Sequence, residues 1–346
     1  MRGRARRLAP VALALAAGVT LAGCTVAVTP TVTGRPSTSI NVPLQSAACT
    51  TRDVCAAFGT ATLFGSPAST GEFRRASGSW APLRTPSAVG AYLAEAEACA
   101  ATFCLIGGAS THADLVWRFS TSPPRVTALT PPPGGAGVDA AACTKAWCAL
   151  VDSPGPGSAP PRFVTTADAG ATWSVRDTIP VTGGWRTTAL ACPSTSTCLL
   201  VLVTGQPATT PADGVILLET TDGGSTWSPR DIPSLWVGIS ALSCGPDFCD
   251  AIVSSARGTL WARSGRDGRD WRTRRVAASV NSMACTTRNR CVLVGTTSRG
   301  PWAATTNGRS LTVARLRYVP SALTSAACGS SQCALINNST VAAVRP

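Results

Sequence analysis

The sequence predicts an all-β fold, a seven-bladed β-propeller, and three observations predict it. Fourteen of the fifteen cysteines fall into seven close pairs, and the first members of successive pairs lie 41 to 52 residues apart. Short Val/Leu/Ile/Thr runs bounded by Gly and Pro recur inside each period, as strands between turns do. No long stretch shows a helical period.

The unit is clearest in the fourth period. It reads Ala189-Leu190-Ala191-Cys192, a polar turn, Cys198 to Val203, a Gly/Pro-rich loop, Val215 to Thr220, a second turn, and a last strand ending near Ile232. Four strands, A to D, in roughly 45 residues match one blade. The seventh unit ends after its third strand, near Val341–Val344. A fourth strand from the N-terminal segment, around Thr31–Ser39, is expected to complete that blade and remove the exposed edges.

The pairs are Cys49/Cys55, Cys99/Cys104, Cys143/Cys148, Cys192/Cys198, Cys244/Cys249, Cys285/Cys291 and Cys328/Cys333. Cysteines on the two strands of a tight hairpin lie within bridging reach, so one disulfide per blade is expected. Zinc would want C-x-x-C spacing or histidines, and the chain has one histidine. No metal and no cofactor is expected. Each bridge closes a small loop worth roughly 2 kcal/mol and pins hairpin register.

The first residues are Met-Arg-Gly-Arg-Ala-Arg-Arg, followed by an apolar run from Leu8 to Ala22 broken by Thr20. That is a secretory signal, too short for a membrane span. It ends in Leu21-Ala22-Gly23-Cys24, which resembles the lipobox of bacterial lipoproteins, where the cysteine thiol takes a thioether-linked diacylglycerol. The resemblance implies a signal peptide over 1–23, lipidation at Cys24, a short tether over 24–30, and one propeller domain over 31–346. It places the chain outside the cytoplasm, anchored to the cell membrane of a bacterium. One lysine among many arginines points to a GC-rich, actinobacterial-type genome. Removing 1–23 takes four arginines and no acid, so the formal charge falls from +13 to +9. A positive charge spread over the surface favours anionic headgroups or cell-wall polymers. No basic run after residue 7 reads as nucleic-acid binding, and a monomer is expected.

Two turns share a further pattern: Thr166-x-Asp168-x-Gly170-x-Thr172-Trp173 and Thr220-x-Asp222-x-Gly224-x-Thr226-Trp227. An aspartate can accept backbone N–H bonds across a turn, glycine takes positive φ, and tryptophan packs between sheets. Weaker copies lie at Ser264–Trp271, Thr305–Thr312 and Phe73–Trp80. Through these residues the chain resembles the Asp-box, or BNR-repeat, propeller superfamily, which includes the sialidases and the propeller assembly factors of photosystem II. The box is a folding element and carries no activity with it.

A sialidase-like enzyme would need an arginine triad, a tyrosine nucleophile with a glutamate, and an aspartate acid/base. The Phe-Arg-Ile-Pro motif is missing, and Glu72-Phe73-Arg74-Arg75 is a poor substitute. The tyrosines are Tyr92 and Tyr318, and the glutamates are Glu72, Glu95, Glu97 and Glu219. Glu95 and Glu97 flank strand A of blade two, where solvated or rim positions are expected. His112 lacks a Gly-x-Ser-x-Gly elbow. No catalytic residue is therefore assigned.

In a propeller the A–B and C–D turns share one face, and the B–C loops and D–A links share the other. The second face carries the long connections Gly107–Asp114, Asp152–Pro161 and Thr204–Gly214. At the mouth of strand A sit Tyr92, Trp185 and Trp236, whose rings could stack on a sugar or peptide. With Arg186 and His112 they form the candidate ligand face. The expected function is binding or scaffolding of a protein or glycan partner at the cell envelope. The alternative is a sialidase-like or other glycan-directed hydrolase or lyase using the same face.

Overall fold

Seven antiparallel sheets follow one another along the chain in the computed structural model, and each is a blade. The structure describes residues 31–36, 44–63, 66–75, 79–83, 93–109, 114–135, 137–152, 160–181, 185–204, 214–286, 290–317, 319–337 and 340–346. Blades one to six span 46–83, 93–129, 138–178, 185–230, 236–275 and 279–313, each a four-stranded meander. In blade four strands A to D are Trp185–Ala191, Cys198–Thr204, Val215–Thr220 and Ser228–Arg230. No helix occurs among the described residues.

Strand B of each blade is apolar along its length because neighbours cover both of its faces. Leu199, Leu200, Val201 and Leu202 are all fully buried. The core is divided into seven buried clusters, each joining two adjacent blades. At the junction of blades three and four, Phe163 packs edge-on against Trp227 with ring centres 5.1 Å apart. A single blade could not bury its sheet faces, so the ring is stabilised as a whole.

All seven predicted disulfides form, one in each A–B hairpin, with Cα–Cα distances of 3.9 to 4.1 Å. Six of the pairs are directly opposed in the strand register. A one-residue slip would separate the sulfurs, so each bridge fixes register.

The cysteines bridge the two strands of each hairpin as the spacing predicts, and the structure adds that they reach into the core. The second member of every pair, Cys55, Cys104, Cys148, Cys198, Cys249, Cys291 and Cys333, is buried, because it opens or lies near the start of the covered strand B. Cys104 packs with Ala48 and Phe58 of blade one, and Cys148 with Phe103 and Leu105 of blade two. Cys55 meets Ala334 and Ile336 of blade seven, and Cys249 meets Leu199 and Val201 of blade four. The first members Cys99, Cys143, Cys244, Cys285 and Cys328, on strand A, are half-buried, while Cys49 and Cys192 are buried too. Each bridge therefore fills an inter-blade contact as well as clipping a hairpin, and its inner sulfur is out of reach of a ligand.

The expected closure also holds. Thr31–Pro36 runs antiparallel to Thr340–Val344 as the fourth strand of blade seven. An element that the repeat did not predict lies outside it. After blade six the chain forms Arg315–Arg317, which pairs parallel with Thr31–Thr33 as a fifth strand.

The seam between blades seven and one carries a second clasp. Asp53, in the A–B turn of blade one, accepts hydrogen bonds from the Ser331 and Gln332 amides (2.9 and 3.2 Å) and from the Ser330 and Ser331 hydroxyls (3.1 and 2.6 Å). The Gln332 side-chain amide returns a bond to the Asp53 carbonyl at 2.9 Å. Burial pushes the Asp53 carboxyl up, but these donors outweigh it and hold the group below the usual aspartate value.

Candidate binding site

The two faces of the ring are chemically unlike. On one face the A–B and C–D turns are joined directly: the Ala169 amide donates to Ala146 O (3.1 Å), and the Gly223 amide to Ser196 O (2.8 Å). In the turn of blade three, Asp168 accepts from the Thr172 amide (2.9 Å) and hydroxyl (2.6 Å), while Thr166 Oγ1 accepts from the Gly170 amide (2.9 Å). Blade four repeats this around Asp222, at 2.9, 2.6 and 2.8 Å. Hydrogen bonds from the following threonine hydroxyl and amide hold both carboxyls down at about 2. In blade six Asn307 takes the aspartate's place, accepting from the Arg309 and Ser310 amides at 3.0 Å each. In blade five Asp267 accepts only the Arg269 amide, at 3.3 Å.

Strand A is innermost. A central cavity of about 310 Å³ is lined by strand-A residues of blades one, two, five, six and seven. The lining is Ala, Ser, Cys, Leu and Met, with Glu97 as its one charged side chain. Glu97 thus stands in the channel wall and not at a solvated rim, because strand A of blade two is innermost and its side chain meets the strand-A residues of blade one there. Its Oε1 is buried, as is Ser46 Oγ on the neighbouring strand A. Burial raises the carboxyl to about 7, the Ser46 hydroxyl opposing the shift.

The predicted ligand face is only partly assembled. Trp185 is half-buried at the start of strand A in blade four, with Arg186 exposed beside it. Trp236 is 1% exposed and packs edge-on against Trp271 at 5.4 Å, so it is a core residue and is withdrawn from the ligand face. Tyr92, His112 and Cys24 lie outside the described residues, as do Tyr318 and most of each long B–C connection.

Acidic side chains inside the blades are paired to strands of the same blade. Asp152 pairs with Arg162, Glu219 with Arg230, and Asp250 with Arg263. Asp250 receives Arg263 Nε at 2.9 Å and Nη2 at 2.5 Å, and Trp261 Nε1 at 2.9 Å. Asp250 also lies 3.1 Å from Cys291 Sγ, with Cys285 nearby. Both sulfurs are spent in a disulfide, so this trio lacks the thiolates that a metal would need.

A cleft of about 630 Å³ opens between blades five and six, which the sequence did not point to. Arg263, Arg272, Arg274 and Arg309 line it around Phe248 and Trp261. The Arg263 guanidinium lies 4.8 Å from the Phe248 ring centre and 5.6 Å from that of Trp261. Seven arginines between 257 and 275 were the signal that could have marked it.

No protein-family profile and no curated sequence matches this chain. Solved structures do match in fold. YCF48 bound to D1 peptide is 12% identical, with a TM-score of 0.60, covering 92% of this chain and 97% of that one. YCF48 from Cyanidioschyzon merolae is 11% identical with a TM-score of 0.61, covering 90% and 98%. A catalytically inactive virginiamycin B lyase from Staphylococcus aureus with quinupristin is 10% identical with a TM-score of 0.63, covering 92% and 99%. The fold is therefore that of a seven-bladed propeller, a scaffold that hosts both binding proteins and lyases.

Proposed function

We propose that this chain is a membrane-anchored extracytoplasmic lipoprotein whose propeller binds or scaffolds a partner at the cell envelope. In this reading 1–23 is the signal peptide, Cys24 carries the lipid, 24–30 is the tether, and the turns at Asp168 and Asp222 are Asp-boxes. Seven disulfides fit an oxidising compartment. Among the described residues no helix is long and apolar enough to cross a membrane.

The observation that carries binding over catalysis is the lining of the central channel. Glycoside hydrolysis in the usual form needs two carboxyls across the scissile bond, and the described channel wall offers Glu97 alone. Three acids that could have joined it, Asp152, Glu219 and Asp250, are tied to arginines within their own sheets. A peptide segment is the partner class this reading favours, by likeness to YCF48 with its D1 peptide. It would dock on the face of Trp185 and Arg186, opposite the disulfides.

Two measurements test the proposal. Mass spectrometry of the membrane-extracted chain should find a diacylglycerol adduct on Cys24, and Cys24→Ala should leave the membrane fraction. A photo-crosslinking residue at position 186 should capture an envelope protein that the same residue at 307, on the opposite face, does not. Turnover of sialosides or cell-wall glycan fragments by the mature chain, lost in Glu97→Gln, would replace this reading with the hydrolase one.

A further inference from the structure

The positive charge is not spread over the ring. All seventeen acidic side chains precede residue 271, and residues 271–346 hold ten arginines and no Asp or Glu. With the mature chain at +9 and this segment at +10, residues 24–270 sum to −1. The net charge therefore belongs to one sector of the molecule: the outer strand of blade five, all of blade six, and blade seven apart from its N-terminal strand.

Within that sector the arginines are presented to solvent. Nine of the ten lie in the described residues, and all nine are exposed. The described ion pairs go to Arg162, Arg230, Arg263 and Arg269, none of which lies in this segment. Arg272, Arg274 and Arg275 project from the outer strand of blade five, every residue of which is exposed. Arg309 stands in the C–D turn of blade six and shares the blade five/six cleft with Arg272 and Arg274. Arg315 opens the fifth strand of blade seven, and Arg345 follows its third.

The N-terminal strand leaves the ring in this same sector. Thr33 lies opposite Ala343 and Pro36 opposite Thr340, while Val344 lies opposite Cys333. The Thr31 end is therefore on the disulfide face of blade seven, and Arg315 is its direct neighbour across the parallel pair. Seven residues separate Thr31 from Cys24, a span of at most about 25 Å. On the same face, blades three and four carry the exposed acids Asp168 and Asp222, and the turns of blade five mix Asp247 and Asp270 with Arg266 and Arg269, so the uncompensated charge lies in blades six and seven and the outer strand of blade five.

We propose that the disulfide-bearing face of blades five to seven is a docking surface for an anionic lipid bilayer. The inference rests on the anchored-lipoprotein reading for its choice of bilayer over a soluble polyanion, because the tether emerges among these arginines. Attraction to acidic headgroups decays within a Debye length, so only a sector held at the surface by its tether can exploit it. The arginines hold blades five to seven closest to the membrane, with the acidic turns of blades three and four at the far side of the ring. The face of Trp185 and Arg186 is then turned outward, toward the envelope. Lipid and basic patch together give the two-signal attachment that outlasts either alone.

The test separates this surface from the anchor. Every described strand of the ring lies within 31–346, so the chain from residue 24, carrying Cys24→Ser and hence no lipid, retains the whole propeller. It should co-sediment with vesicles containing phosphatidylglycerol and not with pure phosphatidylcholine, and the binding should fall steeply with salt. Each surface arginine contributes about five-fold to affinity, so Arg272→Ser, Arg309→Ser, Arg315→Ser and Arg345→Ser together should cost on the order of several hundred-fold. A matched set, Arg52→Ser, Arg125→Ser, Lys145→Ser and Arg176→Ser, removes equal charge from exposed sites in blades one to three and should cost little. Unchanged melting temperatures show that both sets fold. Equal losses in the two sets, or binding indifferent to phosphatidylglycerol, overturn the proposal. Preference for an isolated anionic wall polymer over the vesicles overturns it in favour of that partner. An unmodified Cys24 in the membrane-extracted chain defeats the anchor reading without touching the vesicle result.

Discussion

Where the C–D turn of blade four meets blade three it faces a ring, and where the C–D turn of blade six meets blade five it faces a guanidinium. In the first, the turn glycine of blade four lets its backbone approach Phe163 so closely that a Cβ on Gly224 would sit 2.2 Å from the ring. In the second, the equivalent glycine of blade six faces Arg263, and a Cβ on Gly308 would sit 1.7 Å from its Nη1. Both glycines have positive φ, +94° and +83°. The backbone solution is shared while the partner changes from apolar to charged. Where the neighbour is a ring the turn also keeps Asp222 and Trp227; where it is Arg263 the turn has Asn307 and Arg309. The repeat thus conserves the close approach of turn to neighbouring blade, and it gives up the side chains of the turn where the junction lines a polar cleft.

The largest expected effect probes that difference directly. Gly224→Ala forces a methyl into a fully buried ring and places a side chain at positive φ, at a cost of about 3 kcal/mol or more. Gly308→Ala suffers the same backbone strain, but its obstacle is the far end of a long side chain. Arg263 can swing away, losing part of its bond to Asp250, and the total should be about half as large. Urea unfolding midpoints compare the two variants. Equal losses would mean that the two junctions are mechanically alike, whatever fills them.

A third kind of junction sharpens the comparison. The seam of blades seven and one is held by Asp53, a buried anion with four donors. Asp53→Ala leaves those donors unmet and should cost about 3 kcal/mol at pH 7. Because its native pKa is lowered, the stabilisation is present above the unfolded value of 3.8 and fades as pH falls through the native one. Denaturant titrations should therefore show the variant and the parent converging in acid. A constant gap down to about pH 2 would place the contribution of Asp53 in packing.

Blade number, strand order, disulfide pairing and the closing strand were legible in the sequence because each is written seven times, or is the remainder of something written seven times. Cys49 to Cys333 repeat at one phase, and a unit lacking its last strand demands one from Thr31 onward. The same spacing is silent on depth: it pairs Cys99 with Cys104 without saying that Cys104 lies inside a blade junction and Cys99 at its edge. The fifth strand, Arg315–Arg317, occurs once and has no period to betray it. Trp236 shows the limit from another side: spacing places it at the mouth of strand A, but only packing against Trp271 decides that the ring turns inward. Glu97 was misplaced because alternation along a strand does not say which of its two sides faces a channel. The arginine sector needed only a residue count, yet its meaning depends on the fold, which gathers 271–346 with the N-terminal strand at one edge.

A further effect comes from Glu97, the interior acid that lacks what Asp53 has. Its carboxyl is raised to about 7 by burial in the channel, against an unfolded value of 4.5. The folded state therefore binds a proton that the unfolded state releases between pH 4.5 and about 7, and stability falls as pH rises across that window. Glu97→Gln keeps the shape and removes the titration. The variant should match the parent near pH 4 and exceed it by about 2 kcal/mol at about pH 8, the wet channel moderating the full shift. Unfolding midpoints at the two pH values measure this, and the sign is opposite to that at Asp53. A variant less stable than the parent at the higher pH would mean that the ionised carboxylate has found a cationic partner in the channel. Glu97 would then belong with Asp53 and Asp250 among the paired acids that hold the ring together.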